Sequence, residues 1–230
     1  MRRRLRRRPP VAHRDASDAG DLGEVAEARD AVASGASAAP AADQRLPLRF
    51  VRHGATAPNL AGLRCGGDLD VPLTALGRQQ ARAVAERIAR LDPPVHLIVT
   101  SDLKRNRETA DIIARSLGTD VTMLVQPAFS ERRLGEWNLR PIAETQPWFE
   151  ARRTPPGGES DDEFTYRVAD AVRAIKRQLA ERPLLVGSKG VGRVLGELIG
   201  LAERLELGNA EVWEFDFAER PCLETAWGAL

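Results

Sequence analysis

Residues 48–59 read LRFVRHGATAPN. Leu48, Phe50 and Val51 belong to a short β-prone run that opens directly onto Arg52, His53 and Gly54. A strand followed at once by a cation, an imidazole and a glycine carries its polar groups at its carboxyl end. Two later stretches repeat the design. The apolar run Val95–Val99 leads to Ser101, Asp102 and Arg105, and Leu184–Val186 leads to Ser188, Lys189 and Gly190. Continuous apolar runs of this length suit strands buried on both faces of a parallel sheet.

Helical patterns lie between the strands. Thr74 is placed as an N-cap for Leu76, Ala81, Val84, Ala85 and Ile88, with Pro93-Pro94 closing the segment. Ser101 opens a second helix, apolar at Leu103, Ala110, Ile112 and Ile113, that stops near Gly118. Val121–Val125 reads as a strand. Ser160-Asp161-Asp162-Glu163 is a capping box, and the helix behind it is predicted to run to about Glu181. A short helix over Gly190–Ile199 and a late strand over Val212–Phe217 complete the pattern. The alternation predicts one three-layer α/β domain over residues 46–230, with a mostly parallel central sheet flanked by helices. In such sheets ligands bind outside the carboxyl ends of the strands, so the three polar clusters converge on one site.

The first 45 residues differ in kind. Six arginines crowd Met1–Arg8, and Asp15–Ala42 is mostly Ala, Asp, Glu, Ser and Gly with no aromatic residue. Such a segment has little apolar surface with which to offset the entropy of ordering, and a disordered tail is expected, with a short helix possible within Asp21–Val32. The arginines resemble the start of an export signal, but no apolar core follows them. Over the whole chain, 34 basic and 33 acidic residues leave a net charge of +1, so no nucleic-acid partner is expected from bulk charge. No apolar run approaches the ~18 residues that span a membrane, and a cytoplasmic protein is expected. Cys65 and Cys222 are too few for a disulfide scaffold or a cysteine-rich zinc site. Oligomeric state is not legible in the sequence.

The histidines are His13, His53 and His96. A lone histidine after a strand is more often structural than catalytic, but the neighbours of His53 look like an anion pocket. Arg52 adds charge, Gly54 allows close backbone approach, and Asn59 can add an amide donor. An imidazole nitrogen can attack phosphorus and form a covalent phosphohistidine. Arg105 opens a helix at another strand end. It either pairs bidentately with phosphate oxygens or is a surface arginine bound to Glu108 or Asp102. Glu131, in FSERRLGEW (residues 129–137), is either a general acid and base or a loop glutamate paired with Arg132. No cluster has metal-ligand spacing and no GxxxxGK loop is present, so neither a metal nor a cofactor is expected.

FVRHGAT with Asn59, DVPLTALGRQQA, SDLKRNRETA, FSERRLGEW and PPGGESDDEFTYRV occur in the order and spacing of the histidine phosphatase superfamily, the phosphoglycerate-mutase-like fold, which the chain resembles from about Leu48 to Phe217. The resemblance implies that His53 is the phosphorylated nucleophile, that Arg52 and Arg105 hold the phosphoryl group, and that Glu131 moves the proton. It implies secondary pocket roles for Asn59 and Thr56. The chain departs from the family pattern at one position: Lys189 stands in SKG where the family carries a second histidine in SHG. An ammonium supplies charge and donors but from a longer, looser stem.

The short segment from Glu131 to Ser160 looks more like the phosphatase branches, including α-ribazole-phosphate phosphatases, than the mutases. Residues 138–156, with Arg140, Trp148, Phe149, Arg152 and Arg153, are either a selector for ringed or doubly anionic substrates or ordinary lid packing. The expected activity is a cofactor-independent phosphomonoesterase acting on a small phosphorylated substrate. The alternatives are a weak or inactive member that binds a phosphorylated ligand or partner, and a phosphotransferase or mutase.

Overall fold

The structure of the protein, a computed structural model, describes residues 47–201 and 205–217. The expected tail over 1–45, the helix within Asp21–Val32 and Cys222 lie outside the described residues. One five-stranded sheet is built from β1 (Pro47–Arg52), β2 (Leu97–Thr100), β3 (Thr122–Val125), β4 (Leu184–Gly187) and β5 (Val212–Asp216), in the order β3-β2-β4-β1-β5. The first four strands are mutually parallel, with Phe50 opposite Leu185 and Val99 opposite Leu185 across the two central ladders. β5 runs antiparallel along β1 and closes that edge.

The helices are α1 (Ala57–Leu60), α2 (Ala75–Ile88), α3 (Lys104–Leu117), α4 (Ile142–Glu150), α5 (Asp161–Ala174) and α6 (Lys189–Leu198). Strand side chains alternate between two cores. Leu48, Phe50, Val99 and Leu185 pack with Phe164, Val168, Val172, Val191 and Leu195 of α5 and α6. Val51, Ile98, Leu184 and Val186 pack with Val84, Ala85, Ile88, Ala110 and Ile113 of α2 and α3. The central strands are therefore apolar on both faces, which is why they read as unbroken runs.

Several boundaries differ from the sequence reading. The second helix begins at Lys104, not Ser101: Ser101 Oγ accepts from Leu103 N–H at 3.4 Å and Asn106 Nδ2 at 2.7 Å, so residues 101–103 form a turn. α2 ends at Ile88, before Pro93, because Arg90 and Leu91 close it with tighter i→i+3 bonds. The helix expected to reach Glu181 stops at Ala174 and resumes as a 3₁₀ turn over Arg177–Glu181. The capping box is present: Glu163 N–H donates to Ser160 Oγ at 3.1 Å, and Ser160 N–H to Glu163 Oε2 at 2.8 Å. α1 and α4 have no counterpart in the sequence reading. Among the described residues no helix is long and apolar enough to cross a membrane.

Candidate active site

The three polar clusters follow β1, β2 and β4, which are the three central neighbours in the sheet. His53 is the first residue after β1 and is 3% exposed. Its backbone N–H donates to Gly187 O at 2.9 Å, continuing the ladder to β4. The Nδ1 of its ring lies 2.8 Å from Gly54 O. A carbonyl only accepts, so Nδ1 carries the proton and Nε2 keeps its lone pair. Burial, then the positive fields of Arg105 and Arg52, hold the imidazole well below its ordinary value of 6.5. His53 is therefore a neutral imidazole with one nitrogen pinned and the other basic. His96, by contrast, is exposed and precedes β2, at the opposite end of the sheet.

Arg105 is not a surface residue. It is 1% exposed, and Nη1 and Nη2 donate to Leu69 O at 2.9 Å and Gly66 O at 3.1 Å. The partners considered for it are engaged elsewhere: Glu108 with Arg78 and Asp102 with Ser130. Arg52 donates from Nη1 to Leu207 O at 2.7 Å, while its Nε is buried without a hydrogen-bond partner. A buried donor left unpaired is costly, and an anion in the pocket would satisfy it. Burial lowers the Arg52 guanidinium from its usual value, opposed by Glu131.

Gly54 has a structural reason to be glycine. A Cβ there would lie 2.2 Å from Gly77 O, so its small size serves backbone packing against α2. Asn59 Oδ1 accepts from Thr56 N–H at 3.3 Å and Asn209 Nδ2 at 3.5 Å, and Thr56 is fully buried at the start of α1. Asn59 thus ties the turn after His53 together.

Glu131 is not paired with the Arg132 guanidinium. Its Oε1 accepts the Arg132 backbone N–H and its Oε2 the Gly190 N–H, both at 2.8 Å. The Arg132 guanidinium instead binds Glu159 O, Asp161 and Arg153 O. Glu131 therefore bridges its own loop to the first turn of α6. Arg167 of α5 braces that loop, donating to Ala128 O and Ser130 O at 2.9 Å and to the buried Glu159 carboxylate at 2.7 Å. Gly190 is required for the approach, since a Cβ there would lie 2.0 Å from Glu131 Oε1.

Lys189 is the first residue of α6, and its Nζ is 2.8 Å from Glu206 Oε2. Burial lowers its ammonium from the usual 10.5, an effect that Glu206 opposes and that Arg193 and Arg52 reinforce. Its partner in the structure is thus an exposed carboxylate. The segment 205–211 holds that carboxylate and was missed from the sequence. Leu207 O receives Arg52, Asn209 Nδ2 donates to His53 O at 2.8 Å, and Ala210 N–H donates to Arg52 O at 2.9 Å. It has no periodicity, and its only sequence signal is Gly208-Asn209 ahead of β5.

Residues 138–156 form α4 and its flanks. Trp137 packs on Trp148 and Phe149 with ring centroids 5.1 and 5.5 Å apart, and the Arg64 guanidinium lies 4.0 Å over Phe149. Arg140 pairs with Glu144, and Arg152 with Asp161 and Asp162. Trp148, Phe149, Arg140 and Arg152 of this stretch are thus engaged by Trp137, Arg64, Glu144, Asp161 and Asp162, as lid packing requires. Cys65 is a free thiol, and among the described residues no group of three or more His, Cys, Asp or Glu side chains is arranged to hold a metal ion.

The chain is 37% identical over 202 residues to “Probable phosphoglycerate mutase GpmB” of Enterobacter sp. (strain 638), covering 79% of this chain and 90% of the relative. It is 35% identical over 199 residues to the protein of that name in Photorhabdus laumondii, with the same coverage. Among solved structures, the mycobacterial glucosyl-3-phosphoglycerate phosphatase in complex with VO3 superposes with a TM-score of 0.63 at 30% identity, over 73% of this chain and 90% of that one. TTHB049 from Thermus thermophilus gives 0.62 at 26% identity, over 76% and 95%. The sequence model of the histidine phosphatase superfamily (branch 1) matches residues 48–229, from the strand that delivers His53 to beyond β5, and the chain belongs to that superfamily.

Proposed function

We propose that the protein is a phosphomonoesterase that cleaves small phosphorylated metabolites through a phosphohistidine at His53. The observation that carries this reading is the neutral imidazole, pinned through Nδ1 to Gly54 O, beside Arg52 and the buried Arg105. His53 Nε2 attacks phosphorus, and the ester oxygen leaves with a proton handed on by Glu131. Glu131 then takes a proton from water, whose oxygen attacks the phosphohistidine and releases phosphate and free imidazole. Arg52 and Arg105 stabilise the charge on the transferring group, and Lys189 adds positive charge from the end of β4. Thr56 and Asn59 keep the turn after His53 in place. A small metabolite as substrate fits a cytoplasmic setting and needs no nucleic-acid partner.

A mutase is the second reading, favoured by the names of the relatives. Against it stands the short segment from Glu131 to Ser160, which looks more like the phosphatase branches than the mutases. One experiment separates these from a binding-only protein. Phosphate release is measured over a panel of phosphomonoesters for wild type and His53→Ala, with rapid-quench trapping of the phosphoenzyme. Turnover in wild type, lost by at least about 10³-fold in His53→Ala, is expected. Transfer between the hydroxyls of phosphoglycerate without phosphate release would establish the mutase. A wild type that binds phosphate but forms no phosphohistidine would overturn both enzymatic readings.

A further inference from the structure

The mouth of the site holds more cations than the nucleophile uses. Arg52 and Arg105 stand beside His53. Lys189 and Arg193 follow on α6, four residues apart and therefore on one face of the helix. Two carboxylates answer them. Glu131 is committed to the backbone N–H groups of Arg132 and Gly190. Glu206 is committed to the cations: Oε2 lies 2.8 Å from Lys189 Nζ and Oε1 lies 3.0 Å from Arg193 Nη2. One carboxylate with a cation on each oxygen is the arrangement in which the same two cations would hold a free carboxylate or phosphate.

The backbone on both sides of Glu206 is anchored, and Glu206 and Arg193 lie within the electrostatic reach of Arg52. Leu205 O accepts from Arg193 Nε at 3.2 Å, and Leu207 O accepts from Arg52 Nη1 at 2.7 Å. The residues that fix Glu206 in place thus also fix the side chain next to the nucleophile. Its own side chain is 76% exposed, against 32% for Lys189 and 19% for Arg193. A carboxylate so exposed regains its hydration when it swings away, whereas the two cations are more deeply seated and a second anion could take its place between them.

We propose that Lys189 and Arg193 form a second anion subsite beside the phosphoryl pocket, filled by Glu206 in the free protein, and that it selects phosphomonoesters carrying a second anionic group. The inference rests on the phosphomonoester reading of the His53 pocket. A substrate's second anion displaces the Glu206 carboxylate and takes over its two partners. A substrate without one leaves Glu206 in place and gains nothing from the subsite. Glu206 is then a specificity-determining residue that tunes binding by competition.

The test is calorimetric and independent of turnover. In the full chain carrying His53→Ala, dissociation constants are measured for inorganic phosphate, 3-phosphoglycerate and glycerol 3-phosphate. The two esters differ in having a carboxylate or a hydroxymethyl group. The proposal expects tighter binding of 3-phosphoglycerate. It expects that preference to widen by roughly fivefold on adding Glu206→Gln, the size of one exposed ion pair, and to collapse toward unity on adding Arg193→Gln. Arg193→Lys, which keeps the charge if Arg193→Gln folds poorly, should retain part of the preference. If phosphate and both esters bind but neither substitution moves their ratio, the subsite is disproved and the phosphoryl pocket stands. The subsite is equally disproved if Glu206→Gln weakens both esters to the same degree, since Glu206 is then only a prop for Lys189. If inorganic phosphate itself does not bind, the phosphomonoester reading fails and the subsite falls with it.

Discussion

Burial decides the protonation of His53 before any ligand arrives, and that has a cost in folding at acid pH. In the unfolded chain an imidazole takes up a proton near pH 6.5. In the folded chain desolvation, Arg105 and Arg52 delay protonation to well below that value. The folded state therefore binds fewer protons over that window, and stability falls as pH drops below about 6.5, by up to about 1.4 kcal/mol per pH unit from this group. His53→Gln should remove that part of the slope. Urea unfolding at pH 7.5 and 5.5 should show wild type losing about 1 kcal/mol more than the variant; equal losses would place a proton on the folded-state imidazole. Two glycines give a second contrast. A Cβ at Gly190 meets the movable end of Glu131, at 2.0 Å, whereas a Cβ at Gly54 meets the backbone of Gly77, at 2.2 Å. Gly190→Ala should keep its melting temperature within a few degrees and lose about 10²-fold in kcat/KM through displacement of Glu131. Gly54→Ala should lose stability outright. His53, Arg105 and Glu131 were legible as candidates because their residue types sit at strand ends and in a recognisable order. Their real partners were not, since Gly54, Leu69, Gly66 and Gly190 contribute backbone atoms that no side-chain pattern reveals.

At the scale of elements, the site depends on α5 as much as on the sheet. Arg167 reaches from α5 to three backbone carbonyls of the Glu131 loop, those of Ala128, Ser130 and Glu131, and to Glu159, so a helix on one face fixes the loop that holds Glu131. Replacing it with methionine strands the Glu159 carboxylate, which is 2% exposed. Removing one partner of a buried pair costs about 3 kcal/mol or more. Arg167→Met should therefore lower the melting temperature markedly, and in the folded fraction it should reduce kcat more than it raises KM. A fall in stability with kcat per folded molecule unchanged would reduce Arg167 to a purely structural role. The sequence announced α5 through its capping box and α2 through Thr74, because local hydrogen bonds fix those starts. It did not announce α4, where Pro141 and Pro147 break the helical signal and tertiary stacking of Trp148 and Phe149 on Trp137 provides the stability. Nor did it announce the segment 205–211, whose shape is set by bonds to Arg52 and His53, about 150 residues away in sequence.

At the scale of the molecule, one sheet serves two cores, and the site lies where its three central strands end. That convergence was readable because parallel strands with helical crossovers send their carboxyl ends to one side. The antiparallel pairing of β5 with β1 was not readable, since an edge strand of five residues has the same composition in either direction. Because β1, β2 and β4 contribute side chains to both cores, loss of packing on one face removes the support of the other. Unfolding of the domain should then be a single transition, with coincident curves from far-UV and near-UV circular dichroism. Ile175 belongs to the core under α5 and α6, and Ile113 to the core under α2 and α3. Each isoleucine-to-valine change should cost about 1 kcal/mol. The two sites lie on opposite faces of the sheet and belong to separate clusters, so the double variant should equal the sum within about 0.5 kcal/mol. Two resolved transitions, with Ile175→Val shifting one and Ile113→Val the other, would mean that the cores melt independently. The sheet would then be a boundary between two folding units, and the strand ends that carry His53, Arg105 and Lys189 could lose their alignment without global unfolding.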